Sequence, residues 1–97
     1  TITDEAGLHA QLSRLFGFPD FYGANYPALV DCLSSLRFPG DAMTKVFLRN
    51  EDHINLRIKG LEPDQASLFH LLLFAVKDVN QRDAVYGFPP SIHFIVA

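Results

Sequence analysis

A chain of 97 residues with 48% hydrophobic content suits one compact domain spanning residues 1–97, since a chain of this size buries roughly two-thirds of its unfolded surface. The formal charge of −3 and only eight Lys and Arg, scattered along the sequence, argue against nucleic acid as a direct ligand and accommodate a basic partner protein more easily. The lone Cys32 excludes an internal disulfide framework and makes a reducing cytoplasm the simplest compartment. No segment reaches the ~18 apolar residues of a membrane span, and residues 1–15 lack the basic start and apolar run of a signal peptide.

Leu8, Leu12, Leu15 and Phe16 share one helical face at spacings i, i+4, i+7 and i+8. They predict a first helix with Thr3 or Asp4 as its cap and Gly17, followed by Pro19, as its stop. An opening strand is reduced to Thr1-Ile2-Thr3 at most.

Residues 19–33 are the most informative stretch, with an aromatic pair, a turn glycine, a capping asparagine and a short helix in fifteen positions. Gly23 permits φ > 0, Asn25 can cap the following helix, and Pro27 sits in the first turn, where a missing N–H costs little. Leu29, Cys32, Leu33 and Leu36 form the apolar stripe of this second helix, which runs from near Asn25 to near Arg37 and ends before the turn Pro39-Gly40-Asp41. Asp31 lies off that stripe and is expected in solvent, with Leu29, Leu33 and Leu36 buried beneath it. Cys32, on the apolar face, reads as a small buried hydrophobe rather than a nucleophile.

Lys45 to Arg49 reads as a short strand around Val46-Phe47-Leu48. The alternation Ile54-Asn55-Leu56-Arg57-Ile58 predicts a half-buried strand, which would close an antiparallel hairpin over Asn50 to His53. A long third helix opens at Pro63, after Gly60, and runs to about Asn80. Its apolar arc holds Leu68, Leu71, Leu72, Ala75, Val76 and Val79, extended at the edge by Phe69 and Leu73. Phe74 falls outside the arc among His70, Lys77 and Asp78, as an exposed aromatic suited to a partner or dimer contact. Arg82 to Pro90 reads as a turn-rich loop, and Ser91 to Val96 as the final strand.

An enzyme needs a constellation, and this chain offers little toward one. His9, His53, His70 and His93 have neither i, i+4 pairing nor flanking cysteines for a zinc site. No Gly-x-Ser-x-Gly, Walker loop or dinucleotide fingerprint occurs. No catalytic residue, metal or cofactor is therefore assigned. From spacing alone Asp31 is a solvated helix carboxylate, and Tyr22, Gly23 and Asn25 are explained by packing, backbone conformation and capping.

The run Phe21-Tyr22-Gly23-Ala24-Asn25 followed by Leu29, Asp31-Cys32-Leu33 resembles the barstar family of ribonuclease inhibitors. The match continues without a gap upstream through Phe18-Pro19 and Leu8-His9, covers about the first third of the chain strongly, and weakens to a pattern of elements thereafter. The resemblance implies an α/β fold, a barstar-like single domain with a small, mainly parallel sheet packed with three or four helices. In this family the Asp at position 31 enters the active site of the partner ribonuclease in place of a substrate phosphate; the family's acidic residue is itself a standing example of an interface hot spot. Phe21, Asn25, Pro27, Val30, Ser34 and Phe74 occupy the other contact positions. Three depart from the family pattern: Pro27 and Phe74 replace acids, and Val30 replaces a tryptophan.

These residues imply a surface that has lost charge and gained apolar area. The function expected is a stoichiometric inhibitor, a bacterial, cytoplasmic immunity protein acting as a monomer or weak dimer. It would occlude the active site of a basic cognate nuclease toxin, without contacting nucleic acid or membrane. Two alternatives come from other classes: a regulatory interaction module using the same helix face for a non-nuclease partner and, well behind it, a small hydrolase.

Overall fold

The computed structural model describes residues 2–59 and 63–96. Its elements run α1 (Glu5–Phe16), α2 (Tyr26–Ser34), β1 (Ile54–Ile58), α3 (Ala66–Val85) and β2 (Ile92–Val96), with 3-10 turns at Ser35–Arg37, Pro39–Asp41 and Pro63–Gln65. The two strands pair in parallel, Ile54 against Ile92 through Ile58 against Val96, so the chain adopts an α/β fold with a small parallel sheet. Thr1 and Gly60, invoked for the opening strand and for the turn before the third helix, lie outside the described residues; Ile2 and Thr3 are not in a strand.

Local chemistry sets the helix ends. Asp4 caps α1 by accepting from the Gly7 amide at 2.8 Å, and Gly17 closes it in the left-handed region at φ 70°, its N–H returning to the Ser13 carbonyl. Position 17 also demands glycine sterically, since a Cβ there would lie 2.7 Å from that of Lys45. Asn25 caps α2 through the Ala28 amide at 2.9 Å. α3 runs past the expected end at Asn80 to Val85, so Arg82 to Val85 belong to the helix rather than to a loop. The residues that stop it are Tyr86, Gly87 and Phe88, whose amides return to the Asp83 and Ala84 carbonyls, with Gly87 left-handed at φ 81°.

The core lies where the helices meet the inner face of the sheet. Leu8, Leu12 and Phe16 of α1, Leu29 and Leu33 of α2, Leu36 and Leu56, Leu72, Ala75, Val76 and Val79 of α3, and Ile92 are all buried in it. Each buried Leu or Ile contributes roughly 1.5–3 kcal/mol by leaving water. Leu15, placed on the α1 stripe by spacing, is exposed instead, because Leu8, Leu12 and Phe16 align with buried His9 and leave Leu15 at the edge.

The expected strand at 45–49 and the hairpin over 50–53 do not form, because the backbone polar groups there are already committed. The Lys45 amide donates to Phe16 O at 2.9 Å, the Leu48 amide to Leu36 O at 2.7 Å, and the Arg49 and Asn50 carbonyls accept from Arg37. β1 therefore takes β2 as its partner and not the preceding segment. The edge of β2 is closed by Asn80 of α3, whose side chain donates to Ile92 O and accepts from Ile92 N at 2.9 and 3.2 Å, imitating a neighbouring strand.

Arg37 is buried at the end of the α2 stripe. Its guanidinium donates to Ser91 Oγ and to the carbonyls of Arg49, Asn50, Asp52 and Pro89, with Asp83 Oδ1 3.8 Å from Nε and the Phe88 ring 5.3 Å from Cζ. Asp83 is buried too, and its other oxygen accepts the Ser91 amide at 3.0 Å. Removing one member of such a buried pair strands the other. Arg37→Ala is expected to destabilise the fold by about 3–5 kcal/mol, and Arg37→Lys to rescue it poorly because an ammonium lacks the planar fork; Leu15→Ala should stay within about 0.5 kcal/mol of the parent. Urea unfolding midpoints of the three variants check this.

Candidate partner-binding site

The approach loop before α2 holds one aromatic in and one out. The Tyr22 ring packs on Phe18 at 4.8 Å between centroids and its hydroxyl lies 2.5 Å from His9 Nδ1, while Phe21 stands 76% exposed. Burial, reinforced by the nearby Cys32, pushes the Tyr22 pKa up to about 12. The hydroxyl therefore keeps its proton while sharing a hydrogen bond with Nδ1 of buried His9, whose Nε2 lies 3.6 Å from Glu5 Oε1. The left-handed residue of this loop is Ala24, at φ 52°, and not Gly23 as the sequence suggested. At Gly23 the Asn25 side chain that caps α2 comes close, its Nδ2 3.1 Å from where a Cβ would stand.

Along α2, Asp31 points to solvent with its side chain 62% exposed, above Leu29, Leu33 and Leu36, which are fully buried. Asn25 and Pro27 are exposed and Ser34 is half-buried. Val30 is only 3% exposed and packs into the core, so it offers no surface to a partner and leaves the set of expected contacts. The reason is geometric: Val30 follows Leu29 onto the buried side of a helix whose apolar arc is wider than the Leu29-Cys32-Leu33-Leu36 stripe. Cys32 is buried, and burial raises its thiol pKa, which suits an inert core residue.

The α3 residues facing this helix were not legible as partners of it. Phe74, Asp78 and Arg82 repeat every four residues along one face. The Tyr26 hydroxyl donates to Asp78 Oδ2, and Arg82 NH1 donates to Asp31 Oδ1 at 2.9 Å and to Ser34 Oγ at 3.2 Å. Phe74 is 53% exposed on that face, flanked by His70 and with Lys77 Nζ 5.9 Å from its centroid. A groove of about 490 Å³ opens beside Asp31, lined by Ser34, Phe38, Asp41, Arg82 and Tyr86. The signal for Arg82 was the i, i+4 spacing behind Phe74 and Asp78; it was hidden by ending the helix at Asn80.

This arrangement can accept cations at a carboxylate rim and bury apolar surface at Phe21 and Phe74. Elsewhere in the fold His9 is enclosed with Tyr22, and His53 and His93 stack on each other at 3.9 Å between ring centroids. Among the described residues no group of three or more potential ligands could hold a metal ion.

Tyr26 also has its pKa raised to about 12, by burial first and then by its bond to Asp78. For both tyrosines the folded state favours the neutral phenol, whose unfolded pKa is about 10. Their contribution to stability is complete below about pH 10 and is lost as pH rises toward 12. Urea midpoints measured across that range should fall, and Tyr26→Phe should flatten the fall.

The family model for barstar (barnase inhibitor) matches residues 1–94. No curated protein and no solved structure matches the chain at a significant level. The match covers the helix that presents Asp31, all of β1 and the start of β2, and the chain belongs to the barstar family.

Proposed function

We propose that the chain, working as one barstar-like domain over residues 1–97, is a stoichiometric inhibitor that occludes the active site of a basic cognate nuclease toxin. It would be a bacterial immunity protein acting in the cytoplasm of the cell that makes the toxin, and not an enzyme. The observation that carries the reading is the exposed Asp31 carboxylate on a helix capped by Asn25 and seated on fully buried leucines. An anion held on a rigid element loses little freedom on entering a cluster of Arg and Lys, where its hydrogen bonds are charge-assisted. Phe21, Asn25, Pro27, Ser34 and Phe74 supply the surrounding contacts, with the two phenylalanines adding apolar area. Among the described residues no helix is long and apolar enough to cross a membrane.

A second reading, a regulatory interaction module for a non-nuclease partner, is favoured by one feature: Arg82 partly neutralises Asp31 and leaves the exposed rings of Phe21 and Phe74 more prominent. Capture of partners from the producing cell, with Asp31→Ala as control, separates the two by the identity and nuclease activity of what is bound. Asp31→Ala is expected to weaken binding by roughly 2 kcal/mol or more, and to leave thermal melting nearly unchanged because an exposed ion pair contributes little to its own fold. Phe74→Ala should weaken binding by about 1 kcal/mol, again without loss of stability. Calorimetric titrations and melts on the same proteins check both, and undiminished affinity of Asp31→Ala would remove the plug mechanism.

A further inference from the structure

Arg82 occupies the place that a partner's cation would have to take. Its NH1 is bonded to both Asp31 Oδ1 and Ser34 Oγ, at 2.9 and 3.2 Å, at the mouth of the groove between α2 and α3. The pair is well hydrated, with the Arg82 side chain 51% and that of Asp31 62% exposed, so its own contribution to folding is small and its exchange with solvent groups is easy. The released guanidinium also has an acceptor within its own helix: Asp78 lies four residues before it, the favourable acid-before-base order for an i, i+4 pair. Both side chains already lie near one group, the Tyr26 hydroxyl, on which they act in opposite senses: Asp78 favours the neutral phenol and Arg82 the phenolate.

We propose that Arg82 is a specificity-determining residue that competes with any incoming cation for Asp31. This rests on the reading of Asp31 as the docking anion. A ligand bringing a single cation merely exchanges one guanidinium or ammonium for another and gains little. A partner that brings several cations, or a cation together with extra contact area, overcomes the internal competitor as Arg82 turns toward Asp78. Arg82 thus acts as a repulsive element against weakly basic surfaces, and discrimination comes from what it rejects.

The test uses the whole chain, labelled with nitrogen-15 and titrated with a tetra-arginine peptide at low ionic strength, following the amides of Asp31 and Ser34. Arg82→Gln is expected to bind the peptide roughly two- to fivefold more tightly than the parent, the range corresponding to one exposed ion pair. The gain should be absent when Asp31→Asn is present in both proteins, and should shrink at high salt. Lys77→Gln, which removes the same charge from the same helix without touching Asp31, should give a smaller gain.

Equal or weaker binding by Arg82→Gln, an equal gain from Lys77→Gln, a gain that survives without Asp31, or no peptide binding at all would each overturn the proposal. The peptide reports on the anion alone. A gain in a protein that inhibits no nuclease would keep the role of Arg82 and remove the nuclease reading, whereas a missing gain in a protein that does inhibit would do the reverse.

Discussion

The buried guanidinium of Arg37 is the constraint on which the rest of the structure depends. It closes the 3-10 turn that follows α2 and reaches the carbonyls of Arg49, Asn50 and Asp52 before β1, those of Pro89 and Pro90 and the Ser91 hydroxyl before β2, and the Asp83 carboxylate near the end of α3. A cation out of water is tolerable only when its donors are satisfied and its charge is answered, and here both conditions hold. The same contacts bring the starts of the two strands side by side, and the Ile54 amide then donates to Ser91 O as the first link of the parallel ladder. A sheet of only two strands gains its order from this anchor and from Asn80 on its edge more than from its own ladder.

That arrangement governs how the candidate site is presented. α2 is held at its start by the Asn25 cap and at its end by Arg37, and its inner leucines have no exposed surface. Its outer face is therefore rigid where Asp31 projects. α3, fixed by the Asp83 contact, lies alongside and offers Asp78 and Arg82 to the polar groups of α2. The chemistry of the site comes from a pair of helices. A surface built on helices positions side chains more sharply than a loop would, and the approach loop contributes the apolar Phe21 while Tyr22 pins it to α1.

The departures from the sequence expectation share one cause. At 45–49 the residues have strand character, yet their amides and carbonyls are taken by the ends of α1 and α2 and by Arg37, which no local pattern reveals. Val30 was placed among the contacts by position in a family motif, but the arc of α2 that packs into the core is wide enough to include it. Arg37 and Asp83 continue the apolar stripes of their helices at four residues after Leu33 and Val79, so a charge at a buried position was written in the sequence as a spacing. Its meaning needs the partner residue, more than forty positions away, to be seen in place.

By itself the sequence determined the helices, their caps and most of the core, because helical periodicity, Asp4, Gly17 and Asn25 act over a turn or two of chain. It likewise determined that Asp31 faces solvent, since a carboxylate off an apolar stripe has nowhere else to go, and the motif of residues 21–33 pointed to the family. Only the tertiary structure decided that β1 pairs with β2 in parallel, that the 45–49 segment is tied to the helix ends, and that Asp31 is shared with Arg82 across fifty-one residues. Those outcomes are settled by which polar groups meet after collapse, and a buried donor or acceptor takes the nearest satisfying partner in space whatever the distance along the chain.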